Sequence, residues 1–114
     1  MKQYIFLIAS ILILASCSTQ KPLYTWGKYD VASYKYLKNR DDKSTQELIK
    51  TYKSIIAKQR GTRKVVPPGV YADYGYILLQ ENKIKEGKAM LLKEVSLYPE
   101  SKPFIKRILK MLDK

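Results

Sequence analysis

The sequence predicts an all-α domain, and three observations predict it. Apolar residues recur at steps of three and four between Val31 and Leu112, glycine and proline punctuate those runs, and no stretch shows the strict alternation of a half-buried strand. About five helices are expected within residues 29–114, two of them forming a close hairpin.

Each element has its own signals. After the aromatic stretch Leu23-Tyr24-Thr25-Trp26-Gly27-Lys28-Tyr29, the spacing of Val31, Tyr34 and Leu37 predicts a first helix, closed by the polar turn 39–43. Ser44 and Glu47 have the spacing of a capping box, in which hydroxyl and carboxylate each satisfy an orphan backbone donor. Leu48, Tyr52, Ile55, Ile56 and Gln59 carry that second helix, and Gly61 is expected to end it. Pro67-Pro68-Gly69 fits the opening of a third helix marked by Val70, Tyr71, Tyr74 and Leu78, because proline is tolerated where no donor is needed. Glu81-Asn82-Lys83 is a tight connection, with Asn82 suited to a left-handed conformation. Ile84, Leu91, Val95 and Tyr98 then form one stripe of a fourth helix that Pro99 stops. Ser101 is expected to cap a fifth, whose apolar face is Ile105, Ile108, Leu109 and Leu112.

The first residues read differently. Lys2 precedes an almost wholly apolar run from Tyr4 to Ala15, and small residues then lead to Cys17, the only cysteine of the chain. This is the n-region, h-region and small-residue pattern of a secretory signal, and it falls short of the roughly 20 apolar residues a membrane span needs. Leu14-Ala15-Ser16-Cys17 matches the bacterial lipobox. Small side chains at Ala15 and Ser16 admit a peptidase that cuts between Ser16 and Cys17, and the uncrowded thiol can attack a lipid donor. The expected organisation is a signal peptide over 1–16, a lipidated N-terminus and tether over 17–28, and a helical domain over 29–114. Resemblance to bacterial lipoproteins implies a diacylglyceryl group on Cys17, commonly with an added palmitate-type N-acyl chain. Because Ser18 follows rather than aspartate, it also implies the outer membrane, facing the periplasm.

Removing the leader takes away one charge, Lys2, and the formal charge of +12 becomes +11 over 98 residues. Lysine and arginine are spread from Lys21 to Lys114, so a solvated surface is the ordinary reading, and after export nucleic acid is not an expected partner. One cysteine allows no internal disulfide, so packing alone must hold the domain. There is no histidine, which removes the usual general base and metal ligand, and no two carboxylates stand three or four apart. The glycines stand singly, with no phosphate-cradling loop. The expectation is a protein that is not an enzyme, with no metal or cofactor.

Aromatic content is the more informative signal. Nine of the ten tyrosines and the single tryptophan follow the leader. Such side chains combine apolar area with a polar handle and suit half-buried sites and interfaces. Tyr24, Trp26, Tyr29 and Tyr36 are the candidate interaction surface, and Trp26 also suits a staple holding the N-terminal segment to the first hairpin.

Residues 71–99 resemble a tetratricopeptide repeat, a helix–turn–helix unit of about 34 residues. Counted back from Pro99, Gly75 and Gly87 occupy the small-residue positions, with Tyr71 and Leu91 at aromatic positions. Tyr74 and Glu94 depart from the repeat, standing where leucine and alanine are usual. One repeat cannot bury its own faces, so the hairpin 29–60 is expected on one side and the helix 102–112 on the other.

Leu23-Tyr24-x-Trp26-Gly27-x-Tyr29, Pro67-Pro68-Gly69, Tyr74-Gly75 and Glu94 with Tyr98-Pro99-Glu100-Ser101 resemble a small bacterial lipoprotein family called domain of unknown function 4810. The resemblance covers nearly the whole chain after the leader and departs at Asn82 and Gly87, where glycine and alanine are expected. It implies companionship with a CsgG-like secretion lipoprotein, and hence a membrane-anchored adaptor in a cell-envelope assembly. The alternatives are a pilotin-like chaperone for a secretin and a cell-wall ligand-binding protein.

Overall fold

The computed structural model describes residues 1–15 and 21–113, so Ser16 and Cys17, the expected cleavage and lipidation positions, lie outside the described residues. Helix α1 spans Lys2–Ala15, α2 Tyr29–Asn39, α3 Asp42–Ala57, α4 Val70–Gln80, α5 Ile84–Leu97 and α6 Lys102–Leu112, with a 3-10 turn over Pro99–Ser101. No strand occurs among the described residues, and the fold is all-α as the spacing predicts. The apolar side chains of α1 as far as Ile13 are exposed, and no described helix is long and apolar enough to cross a membrane.

Packing runs in sequence order: α2 on α3, α3 on α4, α4 on α5, α5 on α6. The hairpin 29–57 therefore covers one side of the α4–α5 pair and α6 the other, as expected of a unit that cannot bury both its own faces. The core lies between α3 and α4, where Leu48, Tyr52 and Ile55 meet Val70, Tyr74 and Leu78, with Ala32 reaching it from α2. Leu91 and Ile105, both fully buried, continue the interior through α5 to α6.

Several local devices differ from the sequence expectation. On α2 the stripe Val31, Tyr34, Leu37 faces solvent, each residue 51–63 % exposed, while Tyr29, Ala32 and Tyr36 turn inward. The helix was rightly predicted, but Ala32 is the residue small enough for α3 to approach. The capping box of α3 is made by Asp41 and Ser44, not by Ser44 and Glu47. Ser44 donates its N–H to Asp41 Oδ1 at 2.8 Å, and Asp41 N–H returns to Ser44 Oγ at 3.2 Å. Starting the helix one turn earlier leaves Glu47 on its flank, where it meets Lys35 at 3.7 Å.

Nor does Gly61 end α3. The helix stops at Ala57 because Lys58 turns extended and Gln59 Nε2 donates to the carbonyl of Ile55 at 2.9 Å, taking the place of a further helical donor. Both prolines precede α4, and Gly69, at φ +91°, takes the N-cap position in a left-handed conformation that costs glycine little. The turn after α4 is as expected. Asn82 is left-handed at φ 65°, and Lys83 N–H donates back to Leu78 at 2.8 Å, a Schellman closure. Ser101 supplies no side-chain cap to α6; its hydroxyl donates instead to Tyr98 in the 3-10 turn at 2.7 Å.

Candidate interaction surface

The N-terminal segment is pinned along the loop after α3. Thr62 N–H donates to Pro22 and Arg63 N–H to Leu23, both at 3.1 Å. Gln59 closes a two-way amide pair with Thr25, donating to its carbonyl at 2.9 Å and accepting from its N–H at 3.0 Å. The amide of Arg60 reaches Thr25 Oγ1 at 2.8 Å. This needs glycine at position 61: a Cβ there would overlap the Leu23 carbonyl and stand 2.6 Å from Tyr24 Cα. Residues 22–26 thus form a strap whose course is fixed by backbone contacts.

From the strap a row of rings runs into the core. Tyr24 meets Trp26 at 6.5 Å between centroids, Trp26 meets Tyr29 at 5.3 Å, Tyr29 meets Tyr52 at 5.9 Å and Tyr52 meets Tyr74 at 5.8 Å. Tilted and edge-on pairs at these separations add to area burial. Burial pushes the Tyr52 hydroxyl far up from its ordinary value, with Asp73 adding to the shift, so this ring stays neutral. Of the four residues expected to form one surface, Tyr24, Trp26 and Tyr29 share this row. Tyr36 stands apart, its hydroxyl donating to Gln80 Oε1 at 3.2 Å. Trp26 is 42 % exposed, so it staples the strap and still reaches solvent.

An open surface with a groove lies on α2 and α3. A groove of about 570 Å³ lies between them, with Ala32 and Gly27 in its lining, Val31 at its edge and Lys28, Lys35 and Lys50 around it. Two shallower hollows of about 390 and 270 Å³ share its residues and prolong it toward Tyr34 and Lys38 at one end and Thr25 and Arg60 at the other. Lysines outnumber carboxylates along its length, Glu47 and Asp41 being its acids. Beside it stands the exposed stripe of Val31, Tyr34 and Leu37, with Lys38 Nζ 6.0 Å from the Tyr34 ring.

One buried carboxylate was not foreseen as a structural device. Glu94 is 3 % exposed, and its Oε1 accepts the N–H of Gly69 at 2.7 Å, so a residue inside α5 caps the start of α4. Its Oε2 makes no hydrogen bond, while the amides of Tyr71 and Ala72 nearby favour the charged form. Desolvation outweighs them and raises the pKa, with Asp73 adding repulsion. Tyr98, one turn on, donates its hydroxyl to Val66 at 2.6 Å, and burial pushes that hydroxyl up to about 12. Glu94 and Tyr98 together fasten α5 to the segment that opens α4. Among the described residues no group of three or more metal-ligating side chains converges.

Residues 23–108 match the protein family described as domain of unknown function (DUF4810). No curated protein and no solved structure matches the chain.

Proposed function

The chain belongs to the DUF4810 family, and from that premise we propose that it is a lipid-anchored, non-enzymatic adaptor of the bacterial cell envelope. The observation that carries the proposal is the α2 face. Val31, Tyr34 and Leu37 have core-like spacing and character, yet they lie in solvent beside a basic-rimmed groove. A contiguous apolar stripe rimmed by charge is the signature of a docking site. The occupant it suits is an apolar segment flanked by acidic residues, contributed by another envelope protein; the resemblance points to a CsgG-like secretion lipoprotein.

The anchor reading rests on the sequence Leu14-Ala15-Ser16-Cys17, into which the largely apolar 14-residue helix α1 runs. Two or more acyl chains on Cys17 would hold the protein stably, and a shared membrane raises the effective concentration of a co-anchored partner. Ser18 after the cysteine supports outer-membrane residence. The glycine-paired α4–α5 hairpin, flanked by helices on both sides, supports kinship with tetratricopeptide units, which commonly serve as protein-binding scaffolds.

A photo-crosslinking residue at Tyr34, introduced in cells, should give one discrete product with an envelope protein; the same residue at Lys106 on α6 should not. Identical products from both positions, or none from Tyr34, would sink the adaptor reading. Feeding cells a clickable palmitate tests the anchor separately, since the label should vanish in Cys17→Ser.

A further inference from the structure

The strap and the loop it lies on make a second face, and its composition differs from the rest of the surface. Lys21, Lys58, Arg60, Arg63 and Lys64 are all exposed, and residues 21–28 and 58–69 include no aspartate or glutamate. Set among these cations are three exposed apolar side chains, Leu23 (54 %), Trp26 (42 %) and Val65 (39 %). The hydrogen bonds from Thr62 and Arg63 to Pro22 and Leu23 hold the two segments side by side, so these exposed groups are carried on adjoining segments. The Arg63 guanidinium lies 6.0 Å over the Tyr24 ring, which keeps its charge at the edge of the aromatic cluster.

We propose that this face docks on anionic lipid headgroups, with Trp26 and Leu23 entering the interfacial layer and the loop cations above the phosphates. It deepens the anchor reading and rests on that reading for the membrane's proximity. From Cys17 to Pro22 the chain has five residues, which span at most about 18 Å when fully extended. Pro22 is itself bonded to Thr62. An acylated Cys17 therefore keeps loop 59–64 within roughly two Debye lengths of the membrane, where a cluster of basic residues is drawn to a negative surface. Tryptophan and aliphatic side chains beside lysine and arginine are the combination that settles at the bilayer–water boundary. The face thus orients the domain, taking up the Lys58–Arg60 end of the groove and leaving its main part, lined by Val31, Lys35 and Lys50, to a protein partner.

Trp26 is the single tryptophan, so its emission reports on this face alone. The protein extracted from membranes is reconstituted in vesicles of phosphatidylcholine, or of phosphatidylcholine with phosphatidylglycerol, each carrying brominated acyl chains. In the anionic vesicles Trp26 emission should shift to the blue and be quenched, and raising the salt should reverse both. Neutralising Arg60, Arg63 or Lys64 to glutamine should lower the docking equilibrium about fivefold per residue, with helical circular dichroism unchanged. Lys106→Gln, on α6, should have no effect. Emission that is equal in both vesicle types, or a loss with Lys106→Gln as large as with Arg63→Gln, overturns the proposal. The mass of the extracted protein decides the anchor independently. If it carries no lipid, that reading fails, while the same quenching series with protein added from solution still decides the face.

Discussion

Gly75 and Gly87 face each other where α4 and α5 cross: a Cβ on either would stand 2.9 Å from the carbonyl oxygen of the other. Only two residues without side chains let the backbones meet. In an open helix Gly→Ala gains about 0.5–1 kcal/mol, but here the added methyl meets backbone. Gly75→Ala should lose about 1–3 kcal/mol in urea unfolding, the range for overpacking. Gly87→Ala also meets the Leu79 side chain at 2.8 Å and should cost a similar amount. Once one methyl has pushed the helices apart, the second has less to displace. The double variant should therefore be clearly less destabilised than the two losses added together.

Glu94→Ala should lose about 1–3 kcal/mol, because it leaves the half-buried Gly69 N–H without its acceptor. Glu94→Gln keeps an acceptor and removes the buried charge, so it should stay close to wild type at acid pH, where Glu94 is protonated, and at least match it at neutral pH. The pH series fixes the sign. A carboxyl whose folded-state pKa is raised holds its proton more tightly in the native state. Its contribution is fully present below the ordinary value of 4.5 and falls as pH rises through the folded value. Between acid and neutral pH, wild type should lose stability relative to Glu94→Gln; a constant difference across that range would contradict the burial argument.

The start of α3 gives the opposite sign. Hydrogen bonds from Ser44 hold the Asp41 carboxyl below its ordinary value of 3.8. Its contribution is present above that value and is lost as pH falls through the folded one. Asp41→Ala should lower the melting temperature at neutral pH, whereas Asp41→Asn, an equally good N-cap, should keep most of it and lose the acid dependence. Glu47→Ala should change stability by less than about 0.5 kcal/mol, since its exposed pairing with Lys35 is worth little.

Gly61→Ala should free the strap without melting the helices. The methyl would stand against the backbone of Leu23 and Tyr24, which cannot step aside as a side chain can. Far-ultraviolet circular dichroism should be little changed, while Trp26 emission moves to the red and amides 62 and 63 exchange faster. Retention of slow exchange at both amides would show that the loop can shift to seat the methyl.

The exposed stripe of α2 should be silent in stability and not in binding. Tyr34→Ser and Leu37→Ser should each change unfolding free energy by no more than about 0.5 kcal/mol, and Leu37→Ser should abolish the crosslink from position 34. Ala32→Leu, one residue along from Val31 and 6 % exposed, should instead cost about 1–3 kcal/mol by pushing α2 off α3.

What could be read from the sequence was what local chemistry determines. Pro99, Asn82 and the glycine pair each act within a few residues or within one hairpin, so the helices and the α4–α5 crossing were legible. The inward face of α2 was not. Periodicity finds a stripe but cannot tell a core stripe from a docking stripe when both are apolar, and Ala32 is too small to stand out. Asp41 was hidden for a related reason, since Ser44 and Glu47 offered an equally valid box one turn later. Gly61 is not the helix stop that its position suggests, and the capping role of Glu94 is invisible in a residue noted only as a departure from a repeat. Their partners, Leu23 and Gly69, are 38 and 25 positions away, and no local pattern connects them. Among the expected surface residues, Trp26 could be foreseen as a staple, but the row through Tyr29 to Tyr52 and Tyr74 exists only in three dimensions.

The strap also sets how the molecule would bear a mechanical load. Bonds from residues 59–63 to 22–25 bracket the hairpin α2–α3, so tension entering at Lys21 passes through the clasp directly to the segment leading into α4. The hairpin lies outside that line of force, as slack held in reserve. An extension trace should therefore show the clasp yielding first, followed by release of the contour length stored between residues 27 and 58, while the glycine-locked pair α4–α5 still holds.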